Sequence, residues 1–297
     1  MSLPLDPTPV QLLETRTENS VYSAYESPRP MRRIPNFGHA LLFIAFAGML
    51  ILLFGTGIAL VLGAIPGRGH VSHVHPKLAL GAQAVAYLGT LAAAGLFFPL
   101  AWHKSFPEGL RWGWHTARTY ATALIGGGVA LGLVAAMSTY FISPPKDKLG
   151  IDQFFTSTSD AWLVTAFGIF LAPVFEEICF RGFLLPALAI AFDWARLPRT
   201  AEAREQWSRT TTLTSAAIIF SAILSSALFA MMHFEQDAHL WAVMLVLFCV
   251  SLVLTAVRLR LDSVAASAIV HGSYNAFNLV ALMIATGGFR HLDKMPH

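Results

Sequence analysis

Three short groups of residues could do chemistry in this chain, and each lies in apolar text. The first is Pro173-Val174-Phe175-Glu176-Glu177-Ile178-Cys179-Phe180-Arg181, which places two carboxylates and a guanidinium inside an apolar run. Such groups cost roughly 2.5–3.5 kcal/mol each at the centre of a membrane helix, so they mark function or tight pairing. Glu177 and Arg181 stand at i and i+4 and meet on one helix face. Glu176 lies about 100° round the helix and has no such partner in its own turn. The spacing therefore predicts a structural acid, Glu177, and a free acid, Glu176.

The second group is Phe229-x-x-x-His233, and the third is His271-x-x-x-Asn275, again with i,i+4 spacing. Ser267 and Asn278 extend the third into a polar stripe on one helix face. A carboxylate and an imidazole are sufficient to deprotonate water, and a second imidazole with an amide N–H can stabilise an oxyanion. The residue types thus reach a water-activating hydrolase of an acyl or peptide bond. No His-Glu-x-x-His zinc helix and no Gly-x-Ser-x-Gly elbow is present. His70, His73 and His75 form a small histidine cluster without an accompanying carboxylate or cysteine, so neither a metal nor a cofactor is expected.

The elements that must position these groups are membrane helices. The chain of 297 residues is 55% hydrophobic and only 12% charged, which excludes an ordinary soluble domain. Apolar windows at about 40–64, 78–101, 119–142, 161–194, 212–234, 239–257 and 263–287 are each long enough to span a bilayer. The predicted fold class is all-α, a polytopic helical membrane protein with seven spans, or eight if the fourth window divides. Pro173 and Pro186 are the candidate points of interruption. If Pro173 starts a new helix, both acids fall in its first turn.

Residues 1–38 are Pro-rich and polar and are expected to form a disordered cytoplasmic tail. Residues 39–150 are expected to hold the N-terminal spans, 151–288 the chemistry-bearing core and 289–297 a C-terminal tail. With seven spans, the cytoplasmic segments hold 13 Lys/Arg against 6 on the other side, which predicts a cytoplasmic N-terminus in the cell membrane. The net charge of +3 is accounted for by these loops and gives no reason to invoke nucleic acid. Gly128 and Gly132 predict a close helix contact. Cys179 and Cys249 read as small buried residues.

The ordered set Glu176-Glu177-x-x-x-Arg181, Phe229-x-x-x-His233 and His271-x-x-x-Asn275 resembles the CAAX-protease and bacteriocin-processing (CPBP or Abi) family. The resemblance covers roughly residues 160–285. It implies an intramembrane, metal-independent glutamate protease acting on a peptide or protein substrate at the membrane. In that scheme Glu176 and His233 activate water, His271 and Asn275 form the oxyanion hole, and Glu177 and Arg181 orient the site. A non-catalytic scaffold or bacteriocin-immunity factor is the alternative within the family. A proton transporter is disfavoured, because the acids are concentrated in one segment instead of being spread along a path. By simple span depth His233, His271 and Glu176 sit at different levels, so a single site requires tilted or offset helices.

Overall fold

The computed structural model describes residues 33–61, 76–142, 153–234 and 241–295. The histidine cluster at 70, 73 and 75 and most of the N-terminal tail lie outside them. Among the described residues, seven helices are long and apolar enough to cross a membrane. We label them α1 (Phe37–Val61), α2 (Pro76–Trp102), α3 (Ala121–Ile142), α4 (Thr158–Arg196), α5 (Ser215–Met232), α6 (Trp241–Leu261) and α7 (Val264–Ala285). The chain is a multi-pass, all-α membrane protein. A smaller unit, described over Arg33 and 197–212, is separate from this helical body. It contains the short helix Ala201–Arg209, whose Trp207 ring lies under the Arg33 guanidinium at 3.4 Å.

Helix α4 does not divide. It runs for 39 residues, about 58 Å if straight, roughly twice the hydrocarbon thickness of a bilayer. Its two prolines are accommodated by two π-helical segments, Phe167–Leu171 and Ile178–Leu184. Each widens the turn before a proline. The Ala172 N–H bonds Phe167 O and the Leu185 N–H bonds Phe180 O, both five residues back. A proline follows in each case, Pro173 and Pro186, so the next bond in that register has no donor. The shift to i→i−5 bonding moves backbone away from the pyrrolidine ring and lets the helix continue. Pro173 therefore opens no free helix N-terminus, and the expected first-turn dipole at the acids is absent. Its predecessor Ala172 has helical φ and ψ of −60° and −48°.

One face of α4 is held by aromatic packing on α1 and α2. Phe175 stacks on Tyr87 at 3.7 Å between ring centroids, and Phe183 stacks on Phe43 at 4.5 Å. Phe98 and Trp102 complete this cluster. Aromatic pairs in such geometries contribute about 0.5–1.5 kcal/mol each beyond area burial. With that face committed, the side carrying Glu176, Glu177 and Arg181 turns toward α5, α6 and α7.

Helix α7 is fixed at its start and along its length. Ser263 caps it through the Ala266 N–H and donates to Trp112 O at 2.9 Å. The next two N–H groups, of Val264 and Ala265, bond Arg111 O and Trp112 O. These bonds satisfy donors that a helix start would otherwise leave unpaired. Gly113 follows with φ +62°, where a Cβ would come within 2.6 Å of Ser263 Cβ. Asp262 ties the same corner together by accepting from Arg258 at 2.8 Å and Arg111 at 3.1 Å. Partial burial pushes its carboxyl up, but the hydrogen bonds and charges of the two arginines outweigh burial and hold it below the usual carboxylate range. Further along, α3 meets α7 at Gly128 and Gly132, as the sequence spacing predicts. A Cβ on Gly128 would lie 2.4 Å from Val270 O, and one on Gly132 would lie 2.8 Å from the Phe277 ring.

Two predictions follow from this packing. Gly128→Ala should lower the melting temperature in detergent, by an overpacking cost of about 1–3 kcal/mol. Gly127→Ala, which meets nothing within 4 Å, should be neutral or slightly stabilising. For Asp262 the folded pKa is depressed, so its contribution is present above the ordinary carboxylate range and is lost as pH falls through the folded value. The melting-temperature gap between wild type and Asp262→Asn should therefore narrow from about pH 7 to about pH 3. That gap should be small and salt-sensitive, because the carboxylate is 59% exposed.

Candidate active site

The centre of the site is a fully buried ion pair. Arg181 Nη1 donates to Glu177 Oε1 at 2.7 Å, with the two side chains 1% and 0% exposed. The i,i+4 pairing expected from sequence is formed even though the π-helical segment begins between the two residues. Arg181 Nη2 reaches α6, donating to Ser251 O at 2.9 Å and Ser251 Oγ at 2.6 Å. The Phe229 ring covers the guanidinium at 4.8 Å, a cation–π contact that shields the pair on the α5 side.

His271 joins this pair from α7. Its Nδ1 lies 3.0 Å from Glu177 Oε1, the same oxygen that receives Arg181. A carboxylate paired with arginine can only accept, so Nδ1 carries the hydrogen and Nε2 is left for the reaction side. Nε2 lies 3.8 Å from Glu176 Oε2. The two adjacent acids are thus in different environments. Glu177 is locked by Arg181 and His271, whereas Glu176 makes no hydrogen bond among the described residues and keeps a 12% exposed side chain. The Glu177–Arg181 pair read from helix spacing is formed, and Glu176 stands outside it.

Among the described residues, His233 makes no hydrogen bond or ion pair with either acid. It stands at the C-terminal cap of α5, where its Nδ1 donates to Phe229 O at 2.9 Å. That bond leaves Nε2 as the free acceptor. Phe229 connects the two imidazoles, with ring centroids 4.8 Å from His233 and 5.7 Å from His271.

Asn275 donates to Gly168 O at 2.7 Å, and the cause lies in α4. Gly168 O is the carbonyl whose i→i−5 donor would be residue 173, and proline has no N–H. The Asn275 amide supplies the missing donor and pins α7 to the π-helical segment. Gly272 permits this closeness, since a Cβ there would lie 2.8 Å from Ile169 O. The second hydrogen of the Asn275 amide is left over. The rest of the polar stripe is local: Ser267 bonds Val264 O and Asn278 bonds Tyr274 O, both on α7 itself.

Direct contact therefore joins Glu176, Glu177, Arg181 and His271, while His233 enters through Phe229 and Asn275 through Gly168. The difference in depth anticipated from span boundaries does not separate His271 from Glu176. Sequence reasoning missed Ser251, because one serine in an apolar helix gives no motif. It also missed Tyr87, whose ring supports Phe175 beside Glu176. Among the described residues, no group of three or more His, Cys, Asp or Glu side chains is arranged to hold a metal ion.

Residues 158–277 match the model of the family described as Rce1-like, type II CAAX prenyl endopeptidase Rce1-like. The match begins at the start of α4 and takes in all three motifs. Comparisons with curated proteins and with solved structures give no match.

The unequal burial of the acids can be tested by stability. Glu177→Gln should lower yield and melting temperature strongly, because breaking a buried ion pair costs about 3–5 kcal/mol. Glu176→Gln should melt close to wild type. Equal losses in detergent-solubilised protein would show that the two acids share one structural role.

Proposed function

Taking the Rce1-like core over residues 158–277 as premise, we propose that this chain is an intramembrane endopeptidase that hydrolyses a peptide bond of a CAAX-like protein substrate. The observation that carries the reading is the contrast between a locked Glu177 and an unbonded Glu176 facing His271 Nε2 at 3.8 Å. A buried carboxylate without hydrogen-bond partners is costly in lipid unless it has a reaction to serve.

In the proposed mechanism Glu176 accepts a proton from water, with His233 presenting Nε2 as a second acceptor. The resulting hydroxide attacks the scissile carbonyl. His271, when doubly protonated, balances the charge of Glu176 as Arg181 balances that of Glu177, so the set is electrically neutral. Its Nε2–H then donates to the oxyanion, together with the second hydrogen of Asn275. Collapse of the tetrahedral intermediate breaks the C–N bond, and the proton held by Glu176 passes to the leaving amine. No metal is required in this scheme. The excess of Lys/Arg on loops 1–39, 102–118, 195–211 and 258–262 supports a cytoplasmic N-terminus in the cell membrane.

The test is cleavage of CAAX-type peptides, prenylated and unmodified, by purified protein in detergent. Glu176→Gln and His233→Ala should each lower kcat by about 10²–10⁴-fold. The double variant should lose little more than either single one, because groups acting as a unit are non-additive. Asn275→Ala should lose about 10²-fold if its amide supplies an oxyanion donor. EDTA should leave activity unchanged. Full activity in Glu176→Gln would end this mechanism, and activity abolished by EDTA and restored by metal would move the water onto a metal ion. Substrate binding without cleavage by wild type would favour the scaffold reading.

A further inference from the structure

Helix α6, which carries none of the three motifs, supplies the most heavily used contact of Arg181. Two of the three hydrogen bonds made by the guanidinium go to Ser251, one to its hydroxyl and one to its carbonyl. Ser251 is itself buried, at 1% exposure.

The geometry of the ion pair makes this contact consequential. Arginine and carboxylate prefer a bidentate pairing in which two guanidinium nitrogens meet two carboxylate oxygens. Here the pairing is single. Nη1 meets Oε1, Nη2 is diverted to Ser251, and Glu177 Oε2 has no hydrogen-bond partner although it is buried. Ser267 lies beside the same carboxylate, with its hydroxyl donating to Val264 O at 2.9 Å. The one oxygen that Arg181 does use is also the oxygen that orients His271 Nδ1.

We propose that Ser251 is a positioning residue: by holding Arg181 Nη2 it prevents a bidentate Arg181–Glu177 pair and so keeps Glu177 Oε1 aimed at His271. Without the hydroxyl, Nη2 is released from its shorter bond and can turn to the vacant acceptor Oε2. The carboxylate then rotates to meet both guanidinium nitrogens, and Oε1 leaves the line of His271 Nδ1. The imidazole loses the bond that anchors its Nδ1–H, and Nε2 is no longer held toward Glu176. Ser251 makes no hydrogen bond to Glu176, Glu177 or His271 among the described residues, so its effect passes through Arg181. Its consequence for turnover rests on the protease reading above; its consequence for the imidazole does not.

The experiment therefore has two arms on the full-length protein in detergent. The first is ¹⁵N NMR of histidine-labelled Ser251→Ala, Ser251→Thr and wild type, with the His271 signals assigned by His271→Gln. Wild type and Ser251→Thr should show His271 with its Nδ1–H held in one hydrogen-bonded state, and Ser251→Ala should show that hydrogen in exchange. An unchanged His271 signal in well-folded Ser251→Ala would overturn the proposal, whether or not the protein cleaves peptides. The second arm is CAAX-peptide cleavage per folded molecule, with the monodisperse fraction measured by gel filtration. Ser251→Ala should lower kcat by about 10–100-fold with little change in KM, move the pH–rate profile, and be matched by near-normal turnover in Ser251→Thr. A merely structural role predicts fewer folded molecules with unaltered kcat and an unmoved pH profile, and that result would also overturn it. If Ser251→Ala does not fold, Ser251→Cys takes its place: the sulfur is a weaker acceptor of similar size, and retention of the wild-type His271 signal in that variant would count against the proposal. Absence of cleavage by wild type would bear on the protease reading alone and leave the NMR arm to decide.

Discussion

The ion pair between Arg181 and Glu177 is the constraint on which the rest of the site depends. Two charges taken fully out of water call for further partners around them, even though Glu177 Oε2 and Arg181 Nε are left without a hydrogen bond among the described residues. This requirement draws three helices together around α4. Helix α6 supplies Ser251, α7 supplies His271, and α5 supplies the Phe229 ring that closes over the guanidinium. The pair therefore works less as a source of stability than as a register mark, since each partner fits it in one arrangement. Glu176 is placed by default. It is the neighbouring position on the helix, turned away from the pair and toward the free edge of His271.

The prolines of α4 have a similar organising effect on the backbone. In water a proline inside a helix loses one hydrogen bond and the carbonyl finds solvent, but in a membrane that carbonyl must find a protein donor. At Pro173 the chain answers with a π-helical turn and with the amide of Asn275 on Gly168 O. A backbone defect one turn from the acids is thereby converted into a contact between α4 and α7. The close approach needs Gly272, and on the other side of α7 it needs Gly128 and Gly132 in α3. Helix α7 is thus clamped from both flanks, and its polar residues face α4 at a fixed distance.

The division of the molecule around α4 also explains why aromatic residues gather on one side of it. Phe175 and Phe183 stack on Tyr87 and Phe43, so the α1–α2 side is apolar and tightly packed. Around the two acids the polar pairing lies on the opposite side, where the low dielectric strengthens each hydrogen bond and makes each missing one costly. Residues outside 158–277 consequently shape the site without carrying any of its motifs. Tyr87, stacked against the residue next to Glu176, is the clearest case.

Much of this was legible in the sequence. The seven spans follow from the length of apolar windows, because a bilayer sets the number of residues needed to cross it. The Glu177–Arg181 pair follows from helical spacing, and a close contact on α3 follows from two glycines one turn apart, although its partner α7 does not. Those are local rules, and they hold because membrane helices are regular. The tertiary structure alone decided the rest. Pro173 and Pro186 signal an interruption in one dimension, yet packing against α7 and the π-helical turns carried α4 through both of them. The family resemblance implies an oxyanion role for His271, and folding adds the Glu177 carboxylate at its Nδ1, a contact 94 residues away along the chain. Asn275 was read for its chemistry, while its first bond goes to a carbonyl orphaned by a proline on another helix. Ser251 had no signal at all, since a lone serine gains meaning only from the charge that folding brings to it.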